Sequence, residues 1–305
     1  MTMKKRVLSG LLAAALALSL APAALAAAPS QEDAAQALAA LDIMVGDQDG
    51  NLNLGAAVTR AEFTKMAVAA SAMRESVGDT VSVKPYPDVP QTSWAAPWVK
   101  AAVDLGLVQG DLRGNFNPGR SITLAEGVTI VLRLLGYEDG EFTGVWPSGQ
   151  MAQYRALNLD QGVTCAANEP MKRQDALYLF YNLLLTRNKS GQYHLNALEP
   201  TLNLVNADGE LDQVALINSA MEGPVIASGA WQSQVPFELS SAVVYRGGSL
   251  SSLGAIRDQD VVYWSKSMRT IWVYSRKVTG IYEQASPSAA SPSAVVVAGK
   301  SYQIE

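Results

Sequence analysis

Residues 86–126 read YPDVPQTSWAAPWVKAAVDLGLVQGDLRGNFNPGRSITLAE, and this stretch decides how the rest of the chain is parsed. A Pro/Asp lead-in precedes apolar residues Trp94, Trp98, Ala101, Ala102 and Leu105, spaced by three and four as on a short amphipathic helix. Pro97 fits in the first turn, where its missing N–H costs least, and Gly106 stands where a left-handed cap ends a helix. Gly, Asp, Asn and Pro then crowd residues 110–119, as a loop requires. Thr123-Leu124-Ala125-Glu126 closes the unit as a capping box, with hydroxyl and carboxylate each satisfying an N–H at the start of a second helix.

The unit repeats. Shifted back by 64 positions, Gly46, Asp47, Gly50, Asn51, Asn53, Thr59, Ala61 and Glu62 fall on Gly110, Asp111, Gly114, Asn115, Asn117, Thr123, Ala125 and Glu126. A worn third copy follows: Ala156-Leu157-Asn158-Leu159 and Gly162 lie 52 positions beyond Asp104-Leu105-Gly106-Leu107 and Gly110. Lys172-Arg173-Gln174-Asp175 stands there in place of Thr59-Arg60-Ala61-Glu62. No helix pair of this size buries its own apolar face, so three copies sharing one core is the expected solution.

With P-D-V…W-A at Pro87–Ala95, G-D-x-x-G-N-F-N-P at Gly110–Pro118 and T-R-A-E at Thr59–Glu62, the chain resembles the S-layer homology family over about residues 30–190. The resemblance is strong in the second module, good in the later part of the first and weak in the third. It implies an α-helical, pseudo-threefold bundle whose grooves between modules hold a cell-wall polysaccharide, commonly one with pyruvylated amino sugars.

Upstream, Lys4, Lys5 and Arg6 precede an apolar run over Val7–Leu20, and Ala24-Leu25-Ala26 offers a cleavage site. This reads as a secretory signal peptide, with Pro22 arriving too early for a membrane anchor. The expected product is secreted to the cell wall and surface, with no integral membrane segment after cleavage. The formal net charge is −5, and a basic leader, once removed, leaves a more acidic chain. Such a chain lacks the clustered Lys and Arg that nucleic acid demands. The single Cys165 excludes an intrachain disulfide and reads as a small apolar side chain.

The expected fold class is α+β and multidomain. The divisions are a signal peptide at 1–28, modules at 29–80, 81–138 and 139–196, a linker with a short helix at 197–223, and a β-rich barrel or sandwich at 224–305. Helix stripes are expected at Ala34, Ala37, Leu38 and Leu41, at Phe63, Met66, Ala67, Ala70 and Met73, and at Val128, Val131, Leu132 and Leu135. A last stripe holds Ala176, Leu177, Leu179, Phe180, Leu183 and Leu184.

No catalytic constellation or cofactor motif is visible, and no metal site is expected. His194 stands alone in a polar loop, and no spacing marks a carboxylate pair. Asp47-Gln48-Asp49-Gly50-Asn51 fails as a calcium loop, because the glycine sets the first ligand position at Val45. A binding protein is the better reading. The resemblance carries glycan contact onto Arg60, Asp88, Trp94 and Gly110, which would line a groove between modules 1 and 2, with Arg173 the matching arginine of module 3. Arg suits a carboxylate in forked geometry, and Trp gives a sugar an aromatic wall. Leu124 replaces the arginine in module 2, and module 1 lacks the Asp…Trp pair that Arg173 would face. One competent groove, centred on Arg60, is expected. Plainer readings stand beside these: Asp88 starts a turn, Trp98 is core, and Glu62 and Glu126 are capping carboxylates.

Past residue 224 the pattern is β, with strands expected at Pro224–Ser228, Ala242–Arg246, Val261–Ser265, Thr270–Tyr274, Val278–Tyr282, 294–297 and 302–304. Tyr263, Trp264, Trp272 and Tyr274 form a candidate sugar-binding strip, although alternation sends half of a hairpin inward. The partner expected is a secondary wall polysaccharide or a peptidoglycan-linked glycan, with possible surface-layer neighbours. The alternatives are a surface-layer scaffold without glycan binding and a wall-active enzyme whose chemistry lies after residue 197.

Overall fold

The computed structural model describes residues 29–275 and 280–303, so the expected signal peptide and the start of the strand expected at Val278 lie outside the described residues. Within them, eight α-helices are followed by a five-stranded and a three-stranded sheet, an α+β architecture. No described helix is long and apolar enough to cross a membrane.

The helices start and stop where local chemistry dictates. Ser30 caps α1 (Gln31–Ala40) by accepting from Asp33 N. Thr59 and Thr123 form the expected capping boxes of α2 (Arg60–Ala69) and α4 (Leu124–Leu134), with Glu62 and Glu126 reaching back to the cap N–H. Between them lies α3 (Ala96–Asp104), which carries Pro97 in its first turn and ends at Gly106, φ 69°. After α5 (Ser148–Ala156) comes α6 (Arg173–Leu184), where Asp175 accepts from Lys172 N at 3.1 Å.

The stripes of α1, α4 and α6 bury in full, and the exceptions in those of α2 and α3 follow from helix ends. Because α2 ends at Ala69, Met73 lies beyond it and is exposed. Because α3 begins at Ala96, Trp94 precedes the helix, and Val99 rather than Trp98 or Leu105 joins Ala101 and Ala102 in the core.

Each capped helix packs on the lead helix of the next copy: α2 on α3, α4 on α5, and α6 back on α1. Just before the capped helices, three fully buried residues close a ring of backbone hydrogen bonds. Val58 N donates to Met171 O at 2.9 Å, Met171 N to Ile122 O at 2.9 Å, and Ile122 N to Val58 O at 3.0 Å. Phe63 and Phe180 meet at 5.0 Å near this ring. A Cβ on Gly127 would lie 2.6 Å from Met171 Cε and 2.9 Å from Phe63 Cζ, so glycine permits the approach of α4. Burying each large apolar side chain here contributes about 1.5–3 kcal/mol.

Residues 197–223, expected as a linker with a short helix, pack on the helical core. After α7 (His194–Leu198), Leu204 and Val205 enter the helical core, and α8 (Gln213–Ser219) lays Leu216 against it beside α1. Contrary to the polar loop expected for it, His194 is 5% exposed, and its Nε2–H donates to Ala70 O at 2.8 Å. Tertiary packing of α7 on the end of α2 supplies that burial, which holds the imidazole below its ordinary pKa.

The five-stranded sheet runs β1 (Glu222–Ile226), β4 (Val261–Ser265), β5 (Thr270–Tyr274), β2 (Val243–Arg246), β3 (Ser249–Ser251). β3 has no counterpart among the expected strands. The β4–β5 hairpin matches its expected bounds, with Tyr263 opposite Trp272 and Trp264 opposite Ile271. Val244, Val262, Trp264, Ile271 and Val273 pack with Trp231 into a second, smaller core. The second sheet is β6 (Tyr282–Ser286), β7 (Ala294–Val297) and β8 (Lys300–Gln303), and none of its residues joins that core. Neither sheet closes, so the expected barrel is not formed: β1 and β3 remain edges of one sheet, β6 and β8 of the other.

Candidate functional site

Arg60 and Arg173 occupy the same place in their modules, at the first residue of a capped helix. Arg60 N donates to Arg120 O at 2.7 Å and Arg173 N to Ala56 O at 2.8 Å, so each helix start is tied to the loop of a neighbouring copy. The side chains then reach into grooves that draw on three copies at once.

In the first groove, of about 270 Å³, Arg60 lies with Gln109 from the loop of module 2, Glu126, Thr129 and Arg133 from α4, and Trp146 from the lead-in of module 3. Arg60 Nη2 donates to Gln109 O at 2.7 Å, and its guanidinium sits 4.7 Å from the centre of the Phe116 ring. Trp146 is fixed by its indole N–H, which donates to Thr129 Oγ1 at 3.1 Å, yet it remains 49% exposed. Burial lowers the pKa of Arg60, but an arginine so far above neutrality keeps its charge. Burial pushes Glu126 up, while hydrogen bonds from Arg120 and Thr123 N more than offset this and hold it below the ordinary carboxylate value. Glu126 pairs with Arg120 at 2.7 Å and Asp139 with Arg133 at 2.5 Å. Arg60 has no salt bridge among the described residues, and although Glu126 attracts it across the groove, that carboxylate is already engaged by Arg120.

A second, tighter groove of about 80 Å³ holds Arg173 with Val45 from the loop of module 1, Glu62 and Lys65 from α2, and Trp94 from module 2. Arg173 Nε donates to Leu52 O at 2.6 Å and Nη2 to Val45 O at 3.1 Å, with Glu62 4.0 Å away. Trp94 is 57% exposed. The third equivalent position, Leu124, is 2% exposed and serves the core.

The structure therefore divides the four residues expected in one groove. Arg60 shares its groove with Trp146, whereas Trp94 belongs to that of Arg173, which does not lack an aromatic wall. Asp88 and Gly110 face neither groove. Asp88 accepts from Phe116 N at 2.8 Å and Asn117 N at 2.6 Å, and a Cβ on Gly110 would meet Tyr86 Cε1 at 2.5 Å. Both shape the loop that carries Gln109 and Phe116 beneath Arg60. Trp146 and Gln109 are groove residues that the sequence reading does not assign, and Phe116 lies buried beneath Arg60. The 52-residue repeat that places Trp146 on Trp94 was the available signal.

The loops themselves consume their carboxylates. Asp111 Oδ1 accepts from Arg113 N and Asn115 N while Oδ2 accepts from Asn117 Nδ2, and Asp47 repeats the pattern with Asp49, Asn51 and Asn53. No group of three or more His, Cys, Asp or Glu able to hold a metal occurs among the described residues. Burial, with Asp175 nearby, pushes the Cys165 thiol up to about 12, far from a nucleophile's range. The grooves offer a forked cation, carbonyls and an aromatic wall, which is the chemistry of recognition.

Comparison with known proteins places part of the chain in a known domain family. The S-layer homology domain matches residues 27–64 and 85–126. The chain is 32% identical over 191 residues to the middle cell wall protein of Brevibacillus brevis, covering 59% of this chain and 18% of that protein. It is 33% identical over 185 residues to a surface layer protein of Brevibacillus choshinensis, covering 58% and 16%. Identity is 30% over 224 residues to a cell surface protein of Thermoanaerobacter kivui, covering 72% and 27%. The matches thus span between 16% and 27% of these relatives' length. At residues 27–64 and 85–126 this chain carries S-layer homology domains, and it is a secreted protein of the cell surface.

Proposed function

We propose that the helical unit anchors this protein noncovalently to an anionic cell-wall polysaccharide, of the pyruvylated secondary-polymer class, and that the chain acts by binding rather than catalysis. The observation that carries this reading is the twofold occurrence of one arrangement: Arg60 with Trp146, and Arg173 with Trp94, each over a carbonyl-rich loop. Arg60 makes no salt bridge among the described residues, and Glu126 in the same groove is paired with Arg120, which favours a ligand that brings its own negative charge to Arg60. The cyclic packing of α2 on α3, α4 on α5 and α6 on α1, with its ring of three hydrogen bonds, supports a pseudo-threefold bundle. Within it, the division into modules at 29–80, 81–138 and 139–196 follows the repeat.

The test is co-sedimentation of the full chain with purified cell walls, before and after acid stripping of the secondary polysaccharide. Binding lost on stripping and weakened by Arg60→Ala is the expected result. Undiminished binding to stripped walls overturns the glycan anchor and leaves a surface-layer scaffold.

A further inference from the structure

The β-rich unit carries a site of different chemistry. One face of its five-stranded sheet is core; the other presents Tyr245 on β2, Trp272 on β5 and Tyr263 on β4 in direct register. Three neighbouring strands thus place three aromatic side chains in a row on one face. Tyr274 extends the row, its ring edge-on to Tyr263 at 5.8 Å. The hairpin's alternation sends Trp264 inward and leaves Tyr263, Trp272 and Tyr274 on this face.

The Tyr245–Trp272 end of the row does not face open solvent. It forms one wall of a cleft of about 610 Å³ whose opposite wall is α1, with Glu32 and Gln36 at successive turns. That volume is ordinary for a small-molecule site, and a junction between two units is an ordinary place for one. The walls are clasped together: Arg269, in the turn of the β4–β5 hairpin, donates from Nη1 to Asp47 O at 3.0 Å and from Nε to Ser241 Oγ at 3.0 Å.

We propose that this cleft and the aromatic row leading out of it bind an uncharged saccharide. Among the lining residues Glu32 is the one charged side chain and no Lys or Arg contributes, in contrast to the arginine-centred grooves. Arg269, which clasps the walls, gives its Nη1 and Nε to Asp47 O and Ser241 Oγ, so an anionic glycan finds no counter-charge among the lining residues themselves. Sugar C–H faces stack on aromatic rings, and sugar hydroxyls take hydrogen bonds at the rim. The rim supplies them: Gln36 spends one amide N–H on Glu32 Oε1 at 3.4 Å and keeps a second donor and its carbonyl, while the Ser267 hydroxyl, hydrogen-bonded to Ser265 Oγ at 3.2 Å, keeps further acceptor capacity. A purely apolar occupant would shield these polar groups from water without pairing them, at a cost that a hydroxylated ligand avoids.

The experiment is affinity electrophoresis and tryptophan fluorescence titration of the full chain with neutral hexose and N-acetylhexosamine tetramers. Expected are saturable binding, a loss of roughly tenfold in affinity for Trp272→Ala, and a smaller loss for Gln36→Ala, which leaves the sheet untouched. Arg60→Ala should bind these probes as the parent does, so this site and the wall-polymer grooves fail or stand separately. Binding of none of the tetramers, or affinity unchanged in both Trp272→Ala and Gln36→Ala, overturns the proposal. So does uptake of a fatty acid or apolar dye with no saccharide bound.

Discussion

The two arginine grooves share one local sequence logic and differ in how far the arginine is already spent. Arg173 delivers two hydrogen bonds to the carbonyls of Val45 and Leu52 inside a space of about 80 Å³, so much of its donor capacity is structural. Arg60 delivers one, to Gln109 O, in a space of about 270 Å³. The same residue at the same helix position is a brace in one copy and an available cation in the other. A repeat motif identifies the place of a functional side chain; its neighbours decide how much of it is left for a ligand.

This contrast can be broken at both ends. The largest expected effect is on wall binding by Arg60→Ala, where loss of a charge-assisted contact of about 1.5–3 kcal/mol weakens binding by roughly 10–100-fold in co-sedimentation. Its melting temperature should move less than that of Arg173→Ala, since one hydrogen bond and the contact with the Phe116 ring are lost. Arg173→Ala should behave the other way: stability falls by about 1–3 kcal/mol in denaturant titration, because two loop carbonyls lose their donor, while wall binding falls less than in Arg60→Ala. Equal effects of the two substitutions on binding would erase the distinction.

The aromatic walls sharpen it further. Trp146→Ala should weaken wall binding by about 1 kcal/mol, and Trp94→Ala by less, because only the Arg60 groove is roomy enough to seat a sugar against its tryptophan. The smallest effect concerns acid. Asn53 and backbone N–H groups hold Asp47 below the ordinary 3.8, and the N–H of Asn115 with the Asn117 amide does the same for Asp111. Depressed pKa values contribute loop stability above 3.8 that is lost as pH falls through the folded values. Amide protection factors should therefore fall in both loops below that range, and Asp111→Asn should remove the acid dependence from residues 110–117 alone.

What could be read from the chain by itself was local. The capping boxes at Thr59 and Thr123, the stop at Gly106 and the bounds of the β4–β5 hairpin depend on groups within a few residues of one another, and these appear as expected. The α-before-β order and the loop role of Asp47 were legible for the same reason. The partnerships of Arg60, Trp94, Arg173 and Trp146 were not. They arise because each capped helix packs on the following copy, which carries a lead-in tryptophan past its own module's groove to the next. Burial of His194 and of Leu204, Val205 and Leu216 likewise required a surface that exists only after α2 and α1 are assembled. Sequence determined which elements form, since propensity and capping act over single turns. Tertiary structure decided which side chains meet, since contacts spanning three copies are set by how the copies pack.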